Sequence, residues 1–402
     1  MSDILSITPD FYWLGALDPS LRTFDIVMET EFGTTYNAYL LKGTEGIALF
    51  ETVKDKFFDT YFDKLKTLVS LEDIKYIIVD HTEPDHAGSV AKLLPYTPHA
   101  TVVGSAAAIK YMGEIINAPF KSLVVKDKDT LSLGNKTIHF LSVPQLHWPD
   151  TMYSYVEEDQ LLITCDSFGA HYSDERIFKS KLDTHLEADY DSAYKYYYDM
   201  IMGPFKPFVL KALDKIKDLS IQFICPGHGM ILDQSNMNKY IELYRSWSTP
   251  QKFEPKIVVA YVSAYGYTKA MAEAICKGIE SSDYNGEVVL LNLETDSVAD
   301  AMSHINTAQG LLLGSPTILA DALPPIWSVL TSLNPIIHRQ LTVGIFGSYG
   351  WSGEALPNME QRFKQLKCHM PLKPLGCAFK PSETTLQEAF DFGKNFATTL
   401  IK

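Results

Sequence analysis

Between Asp80 and Gly88 the chain reads Asp-His-Thr-Glu-Pro-Asp-His-Ala-Gly, so four side chains able to bind a metal, His81, Glu83, Asp85 and His86, fall within six residues. No lysine or arginine lies among them. Carboxylates crowded without a basic partner repel one another, and a bound cation is what relieves that repulsion. Three more residues could complete the site. His147 sits in Leu146-His-Trp-Pro-Asp150, Asp166 follows the apolar run that begins at Leu161, and His228 follows Phe223-Ile-Cys-Pro-Gly. A lone histidine at any of these places reads most simply as a surface or core residue. The repeated placement of candidate ligands at the ends of strand-like runs is what makes the set a metal site.

A second group of residues points to a phosphate. The run Val258–Val262 leads into Ser263, Ala264, Tyr265, Gly266, Tyr267 and Thr268 and then a helical pattern. The loop is rich in hydroxyls and lacks the closely spaced glycines that a dinucleotide pyrophosphate needs. Hydroxyls and backbone N–H groups at a helix N-terminus instead suit a terminal phosphate monoester. Two other polar loops follow strand-like runs: Ser315, Pro316, Thr317 and Ile318 after Leu311–Leu313, and Ser348, Tyr349, Gly350, Trp351, Ser352 and Gly353 after Val343–Phe346. Three such loops at one sheet edge would form a ligand crevice at a topological switch point.

The elements that must position these residues divide the chain in two. With 402 residues it exceeds what one hydrophobic core supports. The segment Trp247–Lys256 carries two prolines and no periodicity, which predicts domains over 1–250 and 255–402. Before it, paired strand-like runs joined by turns (Asn37–Leu41 with Ile47–Phe50, Thr130–Leu133 with Thr137–Leu141, Tyr153–Val156 with Leu161–Thr164) alternate with helical patterns near 55–69, 87–95, 105–116, 186–217 and 235–247. Hairpins interspersed with helices predict sheets covered by helices on their outer faces. After the break, strands at 257–262, 287–292, 310–313, 343–346 and 374–378 alternate with helices near 267–281, 298–305, 323–333, 355–367 and 386–400. That alternation predicts a doubly wound parallel sheet.

Charge and cysteines narrow the setting. The formal net charge is −14, and 12 of those negative charges belong to residues 1–250. Such a chain repels a phosphate backbone, which argues against nucleic acid as a partner. No basic-then-apolar leader and no membrane-length apolar run is present, so cytoplasm is the expected location, with no membrane association. Five cysteines without a CxxC pair argue against a disulfide framework, a zinc ribbon or a rubredoxin-type iron site.

The metal motif resembles the metallo-β-lactamase superfamily, whose first motif is H-x-H-x-D-H. Here Glu83 replaces the second histidine, and H-x-E-x-D-H is similar to the flavodiiron proteins, in which that fold carries a non-haem di-iron centre. A carboxylate in place of an imidazole hardens the site and suits iron better than zinc. The resemblance implies His81, Glu83 and His147 on one iron, Asp85, His86 and His228 on the other, and Asp166 bridging both. The later loops resemble flavodoxin. They imply that the first holds the phosphate of FMN and that the other two flank its ring, with Trp351 stacking on it.

The two resemblances together imply an α/β protein: an αββα metallo-β-lactamase-like sandwich followed by a flavodoxin-like parallel sheet. The implied activity is reduction of O2 to water, or of two NO to N2O and water. No module here would oxidise a nicotinamide, so an external donor such as rubredoxin is expected. His171 could donate a hydrogen bond to bound substrate, Trp148 could wall the pocket, and the run Tyr194, Tyr196, Tyr197, Tyr198 reads as packing. Domains of this size have radii of gyration of roughly 18 and 15 Å, which separates the two cofactors within one chain. A head-to-tail homodimer, or a pair of such dimers, would bring the FMN of one subunit beside the irons of the other. Two other readings stand beside this one: a di-zinc hydrolase with a fused flavodoxin domain, and a redox carrier whose iron is inert.

Overall fold

The structure, a computed structural model, describes residues 4–249 and 255–401, so the core of the expected linker, 250–254, lies outside the described residues. The chain divides into two compact units, Met1–Pro250 and Gln251–Lys402.

The first unit is built on two sheets. One has seven strands in the order Leu5–Thr8, Phe11–Trp13, Tyr39–Gly43, Gly46–Phe50, Ile74–Val79, Thr101–Gly104 and Ser122–Val124, antiparallel at the start and parallel from Gly46–Phe50 onward. The other has six strands: Thr130–Ser132, Thr137–Ser142, Met152–Val156, Leu161–Cys165, Phe223–Pro226 and Leu232–Asp233. Only the pair Leu161–Cys165 and Phe223–Pro226 within it is parallel. Phe50 and Ile78 of the first sheet pack with Ile138, Phe140 and Ile163 of the second in a shared core. Their neighbours along the strands, Leu49, Ile77 and Leu162, turn to the opposite faces, as the two-residue side-chain period requires. Helices Phe58–Leu68 and Glu187–Tyr197, among others, cover those outer faces. Central strands such as Gly46–Phe50 and Leu161–Cys165 are therefore buried on both sides and read as nearly continuous apolar runs.

The pattern expected at 186–217 is four pieces in the structure: the α-helix Glu187–Tyr197, a π-turn at Tyr198–Met202, a 3₁₀ turn at Gly203–Phe205 and the α-helix Lys206–Ile216. Pro204 and Pro207 lack the N–H that would continue the helical ladder. The short strands before residue 37 gave no signal in the sequence.

The second unit is a five-stranded parallel sheet in the order Glu287–Asn292, Lys256–Tyr261, Gly310–Gly314, Thr342–Tyr349, Leu375–Ala378. The order reverses between Lys256–Tyr261 and Gly310–Gly314, which makes the switch point of a flavodoxin-like sheet. Helices Val298–Ile305, Pro324–Ser332 and Ala355–Gln365 cover one face, and Tyr267–Glu280 and Glu383–Thr398 the other. The last two helices meet through glycines: a Cβ on Gly278 would run into the carbonyl of Phe390, and one on Gly393 into that of Ile275. Among the described residues, no helix is long and apolar enough to cross a membrane.

Candidate metal centre and flavin site

The metal-motif residues follow directly from strand ends. Ile74–Val79 finishes at Asp80, and Pro84 opens the short turn Pro84–Ala87 that carries Asp85 and His86. Glu51, just past the end of Gly46–Phe50, anchors this segment from below: its Oε1 accepts the backbone N–H groups of Asp80 and His81, at 2.7 and 3.1 Å. Asp166 follows Leu161–Cys165 and His228 follows Phe223–Pro226, the one parallel pair of that sheet. Both therefore emerge at the same edge.

Seven side chains converge there in two groups: His81, Glu83, His147 and Asp166, and Asp85, His86 and His228, with the ligand atoms of each group lying within 4.8 Å of one another. Asp166 touches both. Its Oδ2 is 3.4 Å from His81 Nε2 and 3.3 Å from His147 Nε2, while its Oδ1 is 3.1 Å from His86 Nε2 and 3.6 Å from His228 Nε2. Glu83 Oε2 lies 3.3 Å from His81 and 3.1 Å from His147, and Asp85 Oδ2 lies 3.0 Å from His228. Glu83 and His147 keep 16% and 15% of their side chains accessible, while the other five are buried, so the cluster has one open side.

The donors fit a pair of metal ions. Both oxygens of Asp85 are buried and accept no well-formed hydrogen bond among the described residues, a costly condition unless something else satisfies them. Two histidines are held from behind with Nε2 facing inward. His81 Nδ1 stands 3.2 Å from Asp150 Oδ2, and His228 Nδ1 donates to the carbonyl of Thr35 at 2.5 Å. Such outer partners fix the orientation of a metal-binding imidazole. Electrostatics point the same way. Burial alone would lower the histidine pKa values, but Asp85 and Asp166 push His86 up to about 10. The hydrogen bonds of Asp166 and Glu83 raise His147 to about 9. Asp166 is held well below the usual carboxylate range, its burial outweighed by His86 and His147. The pocket favours positive charge at its centre.

Residues outside the sequence-derived set also shape the site. Tyr197, read from the sequence as packing, is buried but donates its hydroxyl to Asp166 Oδ1 at 2.9 Å. Tyr194 and Tyr198 are core residues, while Tyr196 is 39% exposed. Asp150 was visible in the sequence only as the end of the His147 segment. His171 is buried behind His228, with ring centroids 5.1 Å apart, its Nδ1 2.9 Å from Thr34 Oγ1 and its Nε2 without a partner. Trp148 packs edge-on against the His81 ring at 5.1 Å. Cys165 and Cys225 are fully buried, and burial pushes both thiols up, so they stay protonated.

In the second unit, the three polar loops enclose a cavity of about 640 Å³ at the switch point. Tyr265, Tyr267, Pro316, Thr317, Ile318, Ser348, Tyr349, Gly350, Trp351 and Ser352 line it. Leu319, Ala320 and Phe379 line it too, and the sequence did not single these out. Other loop residues make hydrogen bonds within and between the loops. Thr268 is buried with its hydroxyl 2.9 Å from Ser348 Oγ, Ser315 accepts the N–H of Leu323, and Ser263 accepts that of Lys269. Gly266 takes a positive φ of 78° as the loop enters the helix Tyr267–Glu280. Ala264 and Gly353 do not line the cavity; Gly353 lies where a Cβ would press on the Tyr349 ring. Trp351 and Leu319 are each 95% exposed and Tyr265 is 80% exposed. Gathered on the rim of one cavity, they form the kind of exposed apolar patch that marks an interaction surface.

The architecture is that of a metallo-β-lactamase-like domain followed by a flavodoxin domain, and the latter implies a flavin. Residues 34–229 match the family described as ODP family beta lactamase, and residues 259–393 match Flavodoxin. Flavo-diiron protein FprA2 of Clostridium acetobutylicum is 38% identical over 98% of this chain and 99% of its own length. Type A flavoprotein fprA of Rhodobacter capsulatus is 38% identical over 98% and 91%. Among solved structures, rubredoxin oxygen:oxidoreductase from Desulfovibrio gigas superposes with a TM-score of 0.72 at 28% identity, covering 99% of this chain and 98% of that one. The flavodiiron protein from Giardia intestinalis gives 0.71 at 27%, covering 99% and 97%. The chain belongs to the flavodiiron protein family, a family of oxidoreductases.

Proposed function

We propose that this protein reduces O2 to water, two NO to N2O and water, or both, at a di-iron centre held by His81, Glu83, His147, Asp85, His86, His228 and the bridging Asp166. FMN in the switch-point cavity would pass electrons inward from a rubredoxin-like donor. One observation supports this most: Asp166 turns one carboxylate oxygen to each trio of ligands. When bound, the two metals would supply electrons to a small diatomic and the flavin would supply them singly or in pairs.

The chain's own residues prepare the place for that chemistry. Glu83 puts a hard oxygen donor where an imidazole would favour softer ions. It stands with His147 on the accessible side, where a gas molecule could enter. Asp150 and the Thr35 carbonyl hold the His81 and His228 rings in position. His171 is the proposed hydrogen-bond donor to substrate, since its buried Nε2 makes no other bond. We further propose the head-to-tail dimer, which the size of each unit favours for electron transfer between unlike sites.

The test is elemental and flavin analysis of the purified protein, followed by O2 and NO consumption with reduced rubredoxin. Two irons and one FMN per chain with turnover of either gas are expected. Two zincs without iron would overturn the reading in favour of a hydrolase. Bound iron with only slow flavin oxidation would leave a redox carrier.

A further inference from the structure

An aromatic series runs from the metal cluster toward the surface of the first unit. The Phe168 amide, two residues after Asp166, donates to the hydroxyl of Tyr244 at 2.8 Å. The Tyr244 ring lies 4.9 Å from that of Tyr198, and Tyr198 lies 4.9 Å from Trp247. Tyr198 and Tyr244 are 1% exposed, whereas Trp247 is half-buried. The Tyr198 hydroxyl is 2.7 Å from Ser248 Oγ. The Lys195 ammonium lies 5.2 Å from the Trp247 ring, but its charge is met by the Asp199 carboxylate.

Packing accounts for large rings in these places, and phenylalanine would serve packing as well. Tyrosine adds the hydroxyls that bond to the Phe168 amide and Ser248, and tyrosine and tryptophan share a further property: they are among the side chains that most readily lose a single electron. A centre that reduces O2 can be left with an oxidising equivalent when donor electrons run short, and the nearest side chains then suffer. We propose that Tyr244, Tyr198 and Trp247 form a route that carries such an equivalent away from the ligand histidines. This rests on the O2-reducing reading of the metal centre.

The balance is as follows. Tyr244 gives one electron toward Asp166 and is refilled by Tyr198, which is refilled by Trp247. The Tyr198 proton moves into its bond with Ser248 Oγ and returns, while the Tyr244 oxygen, which accepts from the Phe168 amide, keeps its proton as the electron passes, so both tyrosines end unchanged. Trp247 has then lost one electron inward and its indole proton to water. A thiol in solution returns one electron and one proton to it and pairs with a second oxidised thiol as a disulfide.

The route is tested first without O2 chemistry, in full-length, fully oxidised holoprotein carrying Trp351→Phe to remove the exposed tryptophan and Tyr194→Phe to remove the other tyrosine in ring contact with Trp247, at 6.0 Å. Pulse radiolysis with azide radical oxidises tryptophan, and transient absorption follows transfer to tyrosine. A concentration-independent tryptophan-to-tyrosine phase is expected. It should be lost in Trp247→Phe and in the double variant Tyr198→Phe/Tyr244→Phe, and kept in Tyr240→Phe, which makes the same change off the route in the same core. A phase unchanged in the double variant would overturn the proposal.

The second arm exposes holoprotein to O2 with limiting donor and maps oxidised residues by mass spectrometry while recording O2 uptake. Oxidation at Trp247 in the parent protein, moving to the ligand histidines in the double variant, is expected. The same damage map in both proteins would count against the route. Absent O2 uptake would instead overturn the reading of the metal centre, and the radiolysis result would still decide the route.

Discussion

Asp150 Oδ2 lies 3.2 Å from Nδ1 of His81 and also accepts the backbone N–H and the hydroxyl of Thr82, at 2.8 and 2.9 Å. This one buried oxygen fixes both the tautomer and the angle of the His81 ring, leaving Nε2 to face the cluster. Asp150→Asn keeps the volume but weakens that acceptor. Loss of such an outer partner commonly costs roughly 10–100-fold in metal affinity. Titrating the metal-free protein with Co(II) and following its absorption should show that loss, with the fold intact by circular dichroism. Unchanged affinity would remove Asp150 from the site.

Glu83 lies 3.1 Å from His147 and 3.3 Å from His81, and among the described residues no lysine or arginine pairs with it. Glu83→His would remove one negative charge and replace an oxygen donor with a softer nitrogen. Protein produced with iron and zinc both present should then shift its content from iron toward zinc, as elemental analysis would read. Equal iron content in parent and variant would show that Glu83 does not set the choice of metal.

These contacts also show what could be read before the fold was known. The ligands were legible because four lie within one short run and Asp166 and His228 directly follow apolar strands. The strand alternation of the second unit was legible because its central strands, Lys256–Tyr261, Gly310–Gly314 and Thr342–Tyr349, are buried on both faces. Asp150 was not, because its role exists only once Asp80, just past one strand, and Met152, the first residue of another, stand side by side. Tyr197 was hidden for a related reason: its helical period announces a buried face and says nothing of the hydroxyl at its tip. Leu319 and Phe379 carry no motif at all, and only the curl of two loops brings them to one cavity.

Trp351 is 95% exposed on the rim of the switch-point cavity. Truncating a side chain that packs against so little should change stability by no more than about 0.5 kcal/mol. If it stacks on the flavin, Trp351→Ala should weaken FMN by about 0.5–1.5 kcal/mol, the worth of an aromatic pair. Fluorescence titration of flavin-free protein, beside urea unfolding of the same sample, separates the two quantities. Full FMN affinity in the variant would place the ring contact elsewhere.

Gly393 faces the carbonyl of Ile275 across the contact between Tyr267–Glu280 and Glu383–Thr398. A methyl group there has no space unless the helices move apart. Alanine favours a helix interior over glycine by about 1 kcal/mol, so local propensity predicts stabilisation and packing predicts the reverse. Overpacking a tight contact costs about 1–3 kcal/mol, and packing should win. Gly393→Ala is expected to lower the unfolding midpoint of the second unit while leaving the first unchanged. A raised midpoint would show that the helices separate at little cost.

His338 is buried in the second unit, where Nδ1 accepts the Asn334 N–H at 2.9 Å and Nε2 lies 3.0 Å from Asn306 Oδ1. With Nδ1 accepting, Nε2 carries the proton and donates to Asn306, so the neutral ring satisfies both partners. Burial pushes its pKa below the ordinary 6.5. Between the folded value and 6.5, the unfolded chain therefore binds more protons than the folded one, and stability must rise with pH across that window. The contribution is complete above pH 6.5, falls as pH drops toward the folded value, and levels off beneath it. Urea unfolding of the second unit at about pH 7.5 and about pH 5.5 should show a larger loss for the parent than for His338→Gln, which cannot titrate in that range. Equal losses in the two proteins would mean that His338 accepts its second proton as easily folded as unfolded.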